Sequence, residues 1–62
     1  MIRRRDLERH LQHEGCELLP EGGRHAIWWN PANQKRTSLP RHRELPLTTA
    51  KAICAQPEVR AI

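Results

Sequence analysis

One short segment, Gly22-Gly23-Arg24-His25, combines the residue types that phosphate chemistry uses. Consecutive glycines allow backbone conformations closed to other residues and leave room for a phosphate to approach the main chain. An arginine holds a phosphate through paired N–H donors, and imidazole, whose ordinary pKa is about 6.5, exchanges protons near neutral pH. The segment predicts a phosphate-handling loop with His25 as the proton-transfer group. A plain turn followed by a surface histidine fits the same residues.

The other histidines favour different roles. His10 falls on the apolar side of a predicted helix and is expected to be half-buried by packing, whereas His13 on the next turn is expected to be solvated. His42 stands between Arg41 and Arg43. In that position it either assists a proton transfer or belongs to a phosphate-binding strip.

Metal and cofactor sites are not predicted. Cys16 and Cys54 form no Cys-x-x-Cys pair, and Gly15 breaks the helix between His13 and Cys16, so no paired-ligand spacing is present. The two cysteines are expected to be small buried hydrophobes without a disulfide. No Ser-His-Asp arrangement occurs either, because the one aspartate, Asp6, is best explained as a helix cap.

The excess of cations predicts a polyanionic partner. The chain of 62 residues has 11 Lys and Arg against 7 Asp and Glu, a net charge of +4. Such a balance favours nucleic acid before acidic lipid or protein. Arginines occupy positions 3–5, and the segment 35–43 is basic without an acid. We assign phosphate or RNA binding to Arg24, Lys35, Arg36, Arg41, His42 and Arg43.

Two helices are predicted, one at each end of the chain. The first covers residues 3–14, where Leu7 and Leu11 stand at i and i+4, and Gly15 ends it. The second runs from Leu47 or Thr48 to Gln56, is capped by Thr48 or Thr49, and stops at Pro57. Its buried face is expected to be Ala50, Ile53 and Cys54.

Three short strands are expected between the helices. They are an extended segment with Cys16 and Leu18, residues 24–30, and residues 35–40, with a turn at 30–33 and a basic loop at 41–47. Trp28 and Trp29 point to opposite faces, so only one can join the core. The other could stack on a base or an arginine, or cover the sheet edge. The order predicts an α-β-β-β-α domain, with a three-stranded antiparallel sheet and both helices on one face.

Several classes of protein are excluded by these features. The length allows one domain over residues 1–62. No apolar run approaches the ~18 residues of a membrane span, and the first residues lack the apolar stretch of a signal peptide, so we expect a cytoplasmic protein without a membrane partner. Neither helix has the basic, polar face of a groove-reading helix, so DNA is not an expected partner.

Taken together, the motifs resemble the HicA toxin family. The matching residues are Gly23-Arg24-His25-Ala26-Ile27-Trp28, Pro31, Leu39-Pro40-Arg41-His42, Glu44-Leu45-Pro46 and Thr49. Their order and spacing cover about residues 5–56 and leave 57–62 as a tail. The sequence departs from the family pattern at Arg24, which replaces a serine, at Cys16, which replaces an aromatic residue, and at Thr48, which replaces a glycine.

The resemblance implies a fold like that of double-stranded-RNA-binding domains and an mRNA interferase of a type II toxin–antitoxin pair, neutralised by a HicB antitoxin. The family's catalytic histidine falls on His25. The expected activity is metal-independent cleavage of mRNA, without a cofactor. The alternative is an RNA-binding module of the same fold that has no catalytic activity.

Overall fold

A computed structural model describes residues 1–20 and 25–62 of the chain. Gly22, Gly23 and Arg24 lie outside the described residues. The described elements are, in chain order, β1 (Ile2–Arg3), α1 (Arg4–His13), β2 (Glu17–Leu18), β3 (Ala26–Asn30), β4 (Lys35–Leu39), β5 (Glu44–Leu45) and α2 (Leu47–Ala55). Over these residues, neither helix combines the length and the apolar character needed to cross a bilayer.

Helix α1 is amphipathic and ends where the sequence predicts. Leu7 and Leu11, one turn apart, are fully buried. Gly15 adopts φ +96°, a left-handed conformation that glycine reaches without strain. Its N–H donates to the Gln12 carbonyl at 3.1 Å, and the Cys16 N–H donates to the Leu11 carbonyl at 2.9 Å. These two bonds satisfy the last carbonyls of the helix and confirm the glycine stop.

The helix caps differ from the prediction. Arg3 and Pro46 occupy the N-cap positions of α1 and α2, and neither forms a side-chain cap hydrogen bond. Asp6 lies inside the first turn of α1, where its charge interacts favourably with the helix dipole. Thr48 and Thr49 lie inside α2. The predicted caps are wrong because each helix begins earlier than its best capping side chain.

Strands β2, β3 and β4 form an antiparallel sheet in that order, which confirms the predicted meander. Trp28 is the tryptophan that enters the core, with only 6% of its surface exposed. Its neighbour Trp29 points to the other face, where the register places Glu17 on one side of it and Arg36 on the other. Trp29 therefore lies between an acidic and a basic residue on the outer face of the sheet.

Both helices pack on the Trp28 face of the sheet. The buried residues form one cluster with members from α1, the sheet, β5 and α2: Leu7, Leu11, Cys16, Trp28, Leu39, Leu45, Ala50, Ile53 and Cys54. The predicted buried face of α2 is confirmed. The architecture is therefore α+β, with two helices on one face of a three-stranded antiparallel sheet.

A second, two-stranded ladder was not predicted. Strand β1 pairs antiparallel with β5, with Ile2 opposite Leu45 and Arg3 opposite Glu44. The Arg4 N–H donates to the Arg43 carbonyl at 2.8 Å just beyond the ladder. The prediction of a loop throughout 41–47 is thus wrong at β5. Two-residue strands have no visible alternation, so only the folded chain reveals this pairing.

The tail after α2 is held against the body of the protein. Pro57 is buried, and its carbonyl oxygen accepts hydrogen bonds from the Nδ2 atoms of Asn30, at 3.1 Å, and Asn33, at 2.9 Å. Val59 packs against the core. The His10 Nε2–H donates to the Arg60 carbonyl at 2.6 Å. These contacts fix the β3–β4 turn and α1 to the same short segment.

Candidate functional site

His25 lies one residue before β3 and is exposed. The sequence placed it inside the strand, which in the structure begins at Ala26. Because Ala26 pairs with Leu39, His25 and Pro40 come to the same end of the β3–β4 hairpin. Within the described part of the chain, no hydrogen bond or ion pair engages the imidazole. Its ring is therefore open to a substrate and attached directly to the end of a strand.

The segment that follows β4 leads from this end of the hairpin into a groove. Its lining includes Arg41, His42 and Arg43 from that segment and residues 3–5, all arginine, from the start of the chain. Glu8 and Glu44 complete the lining. We call this cleft the arginine groove. It has a volume of about 790 Å³, within the range of about 300–1,000 Å³ usual for ligand sites.

The β1–β5 ladder creates the arginine groove. Residues 3–5 and 41–43 are distant in sequence, and the pairing of Arg3 with Glu44 brings them together. From the sequence, the run at 3–5 is basic, and no function is assigned to it. The three consecutive arginines are a signal that the sequence contains. The sequence does not show the strand pairing that places them beside 41–43.

Lys35 and Arg36, assigned to phosphate binding from the sequence, lie elsewhere. Lys35 is at the turn end of β4, about 13 Å from Leu39 at a rise of about 3.3 Å per residue. Its Nζ atom forms a 2.8 Å ion pair with Oε2 of Glu58. Arg36 lies opposite Trp29 on the outer face of the sheet. The structure therefore separates these two cations from the His25 end.

The other two histidines, His10 and His13, do not belong to the candidate site. His10 is half-buried, as expected, and it also forms the hydrogen bond to Arg60 described above. The side chain of His13 is 84% exposed, with Nδ1 3.4 Å from a carboxylate oxygen of Glu14. His13 therefore offers an exposed imidazole outside the arginine groove, which makes it a matched control for His25.

The two thiols are unsuited to nucleophilic chemistry. Cys16 and Cys54 are both buried and free, as the sequence predicts. Burial raises the pKa of Cys16, with a smaller contribution from the neighbouring Cys54. Burial also raises the pKa of Cys54, partly offset by a hydrogen bond from the Ile62 backbone. The thiolate is the reactive form, so both cysteines act as apolar core residues.

Comparison with known protein families gives a match over most of the chain. Residues 4–59 match the model of the family described as the HicA toxin of bacterial toxin–antitoxin pairs. Comparisons with curated proteins and with solved structures gave no significant match. The family match spans both helices, the three-stranded sheet, His25 and all but one residue of the arginine groove. The chain therefore belongs to the HicA toxin family and is a toxin of the toxin–antitoxin type.

Proposed function

We propose that this toxin is a metal-independent endoribonuclease that cleaves mRNA, with His25 as the catalytic proton-transfer group. The observation that carries the proposal is the exposed imidazole of His25 at the hairpin end from which Arg41, His42 and Arg43 depart. An imidazole next to guanidinium groups is the combination that phosphodiester cleavage uses, because one moves protons while the others stabilise negative charge.

The reaction is an attack by a ribose 2′-hydroxyl on the adjacent phosphate. His25 accepts the hydroxyl proton while the 2′-oxygen forms a bond to phosphorus and the bond from phosphorus to the 5′-oxygen breaks. The leaving 5′-oxygen takes a proton, and the products are a 2′,3′-cyclic phosphate and a 5′-hydroxyl. Arg41, together with Arg24 next to His25 in sequence, stabilises the charge that develops on the phosphate.

A second proton donor is required because one imidazole does not serve both transfers in the same step. His42 is the candidate, since it is exposed and stands on the segment that follows Pro40. In the opposite assignment, His25 protonates the leaving oxygen and His42 takes the hydroxyl proton. Both assignments predict that substitution of either histidine lowers the cleavage rate.

Family membership also implies an antitoxin partner, and we propose a HicB-like protein for this role. An antitoxin that covers the His25 end would block access of RNA to the imidazole and to the arginine groove. Binding of such a partner is expected to abolish RNA binding as well as cleavage.

The direct test is RNA cleavage by the purified protein in EDTA. The wild-type protein and His13→Ala are expected to cleave equally, whereas His25→Ala is expected to lose about 10²- to 10⁴-fold in rate. An otherwise identical substrate with 2′-deoxyribose throughout should remain intact because it lacks the nucleophile. Unchanged cleavage by His25→Ala would overturn the assignment. RNA that is bound but left uncut by the wild-type protein would instead identify a binding module.

A further inference from the structure

The arginine groove carries most of the net positive charge of the chain. Five arginines against two glutamates leave a net charge of +3 with His42 neutral, out of +4 for the whole chain. Like charges gathered in one cleft repel each other and disfavour the compact state unless a polyanion neutralises them. The groove therefore has the electrostatic character of a binding site for a chain of negative charges.

Arg3, Arg5 and Arg43 keep their charge available to a ligand, and Arg4 is only weakly paired. Arg4 Nη1 lies 3.8 Å from Glu8 Oε1, beyond hydrogen-bond distance, and Arg4 Nε is buried with no hydrogen-bond partner in the described structure. Arg3, Arg5 and Arg43 are exposed and form no ion pair with the described residues. Their guanidinium groups present planar pairs of N–H donors, the geometry that phosphate oxygens accept in bidentate fashion.

The groove is continuous along the chain with the proposed catalytic end. Pro40 lies at the same hairpin end as His25, and Arg41, His42 and Arg43 run from it to the backbone hydrogen bond between Arg43 and Arg4. A strand with a phosphate at His25 can thus pass along 41–43 and reach the arginines at 3 and 5. A nucleic-acid backbone has regularly spaced phosphates and can contact arginines along the whole path. A ligand with one carboxylate can contact only one part of it.

We infer that the arginine groove binds consecutive phosphates of the RNA strand next to the one cleaved, with Arg3 and Arg5 as phosphate-binding residues. This inference rests on the proposed function for the identity of the polyanion. It assigns a substrate-binding role to the start of the chain, which the family's histidine motif does not reach. The contacts are to the backbone, so they add affinity without base preference.

The test is the salt dependence of RNA binding by Arg3→Gln/Arg5→Gln, measured with an RNA whose 2′-hydroxyls are methylated so that the probe stays intact whatever the role of His25. Binding of a short labelled single-stranded RNA is followed by fluorescence anisotropy between about 50 and 200 mM salt. Each lost phosphate contact reduces the slope of log K against log salt by about 0.7 for a single strand, so we expect a reduction of about 1.4. Over this range the parent's affinity should then fall about sevenfold more than the variant's.

The matched control is Lys51→Gln/Arg60→Gln, which removes two exposed cations outside the groove and makes the same change in net charge. Its slope is expected to stay close to that of the parent. Equal slopes for the groove variant and the control would overturn the inference. If the groove variant fails to fold by circular dichroism, Arg43→Gln probes the other segment that lines the groove, with an expected reduction of about 0.7.

Two further results separate this inference from the proposed function. A lower slope for Arg3→Gln/Arg5→Gln together with unchanged cleavage by His25→Ala would support RNA binding by the groove and overturn the catalytic role of His25. Loss of cleavage in His25→Ala with an unchanged slope in the groove variant would support the catalytic role of His25 and overturn RNA binding by the groove. If Arg3→Gln/Arg5→Gln weakened the binding of poly-L-glutamate as much as it weakens the binding of RNA, the groove would be assigned to an acidic protein segment. That result would overturn its assignment to nucleic acid.

Discussion

The two ends of the β3–β4 hairpin differ in how their polar groups are satisfied. At the turn end, the amides of Asn30 and Asn33 both donate to the Pro57 carbonyl, and Lys35 pairs with Glu58. At the other end, His25 is exposed, and segment 41–43 contributes its charged side chains to a groove. Polar side chains thus have partners within the chain at the turn end, whereas at the other end the imidazole of His25 is open to a ligand.

This difference indicates how to tell structural polar residues from functional ones in so small a domain. A buried amide with partners inside the chain adds to the free energy of unfolding, and removing it leaves an unsatisfied group. An exposed imidazole or guanidinium without such a partner adds little to stability, so its contribution must be sought in binding or catalysis. Substitutions at the turn end should therefore lower stability and leave activity unchanged. Substitutions at the His25 end should lower activity and leave stability unchanged.

The largest expected effect is that of His25→Ala on cleavage. The rate should fall by about 10²- to 10⁴-fold, while the free energy of unfolding should change by no more than about 0.5 kcal/mol because the side chain is exposed. RNA cleavage and urea denaturation monitored by tryptophan fluorescence measure the two quantities. A large loss of stability in this variant would abolish the contrast between the two ends.

The reverse pattern is expected for Asn30→Ala. The side chain is 8% exposed, donates to the Pro57 carbonyl and accepts from the Ala32 N–H at 3.1 Å. Its loss should cost about 1–3 kcal/mol in the free energy of unfolding, with the cleavage rate per folded molecule unchanged. Asn33→Ala, which shares the same acceptor but is less buried, serves as the control and should cost less. Wild-type stability in both variants would refute the structural role of the turn end.

A smaller effect distinguishes two cations that the sequence treats alike. Arg43→Gln is expected to lower the salt slope of RNA binding by about 0.7, whereas Lys35→Gln should leave it nearly unchanged because Glu58 already neutralises Lys35. Loss of the exposed Lys35–Glu58 pair should also cost no more than about 1 kcal/mol in stability. A slope that falls as much in Lys35→Gln as in Arg43→Gln would show that the turn end also contacts RNA.

The smallest effect concerns the core that supports both ends. Burial raises the pKa of Cys16 and Cys54 above the ordinary 9.0. The folded state therefore keeps thiol protons that the unfolded state releases, and stability should decline as the pH rises above 9.0 toward the raised folded values. Denaturation under reducing conditions at pH 8 and pH 9.5 measures the decline. A Cys16→Ala/Cys54→Ala variant should show less of it, and an equal decline would assign it to other groups.

Local pattern was sufficient to predict the main elements. The spacing of Leu7 and Leu11, the glycine at 15 and the buried face of α2 each depend on patterns near in sequence, and each matches the structure. The choice between Trp28 and Trp29 could not be made in this way. Both lie on the same strand with the same chemistry, and only the position of the helices decides which face is buried.

The candidate site could be predicted only in part, again because some of its residues meet through contacts that are distant in sequence. The position of His25 and the basic character of 41–43 follow from residue type and from order along the chain. The contribution of residues 3–5 depends on the pairing of β1 with β5, between two-residue strands that carry no periodic signal. Likewise, the separation of Lys35 from the groove follows from its position at the turn end of a strand and its pairing with Glu58.

The β1–β5 ladder has a consequence for the order of folding. It joins residues 2 and 3 to residues 45 and 44, so forming it requires the closure of most of the chain into a loop, whereas the β3–β4 hairpin closes over a four-residue turn. Long loops close at a higher entropic cost, and non-local contacts form late. We therefore expect the arginine groove to assemble in one of the last steps of folding. Partly folded chains would then lack the complete arginine groove.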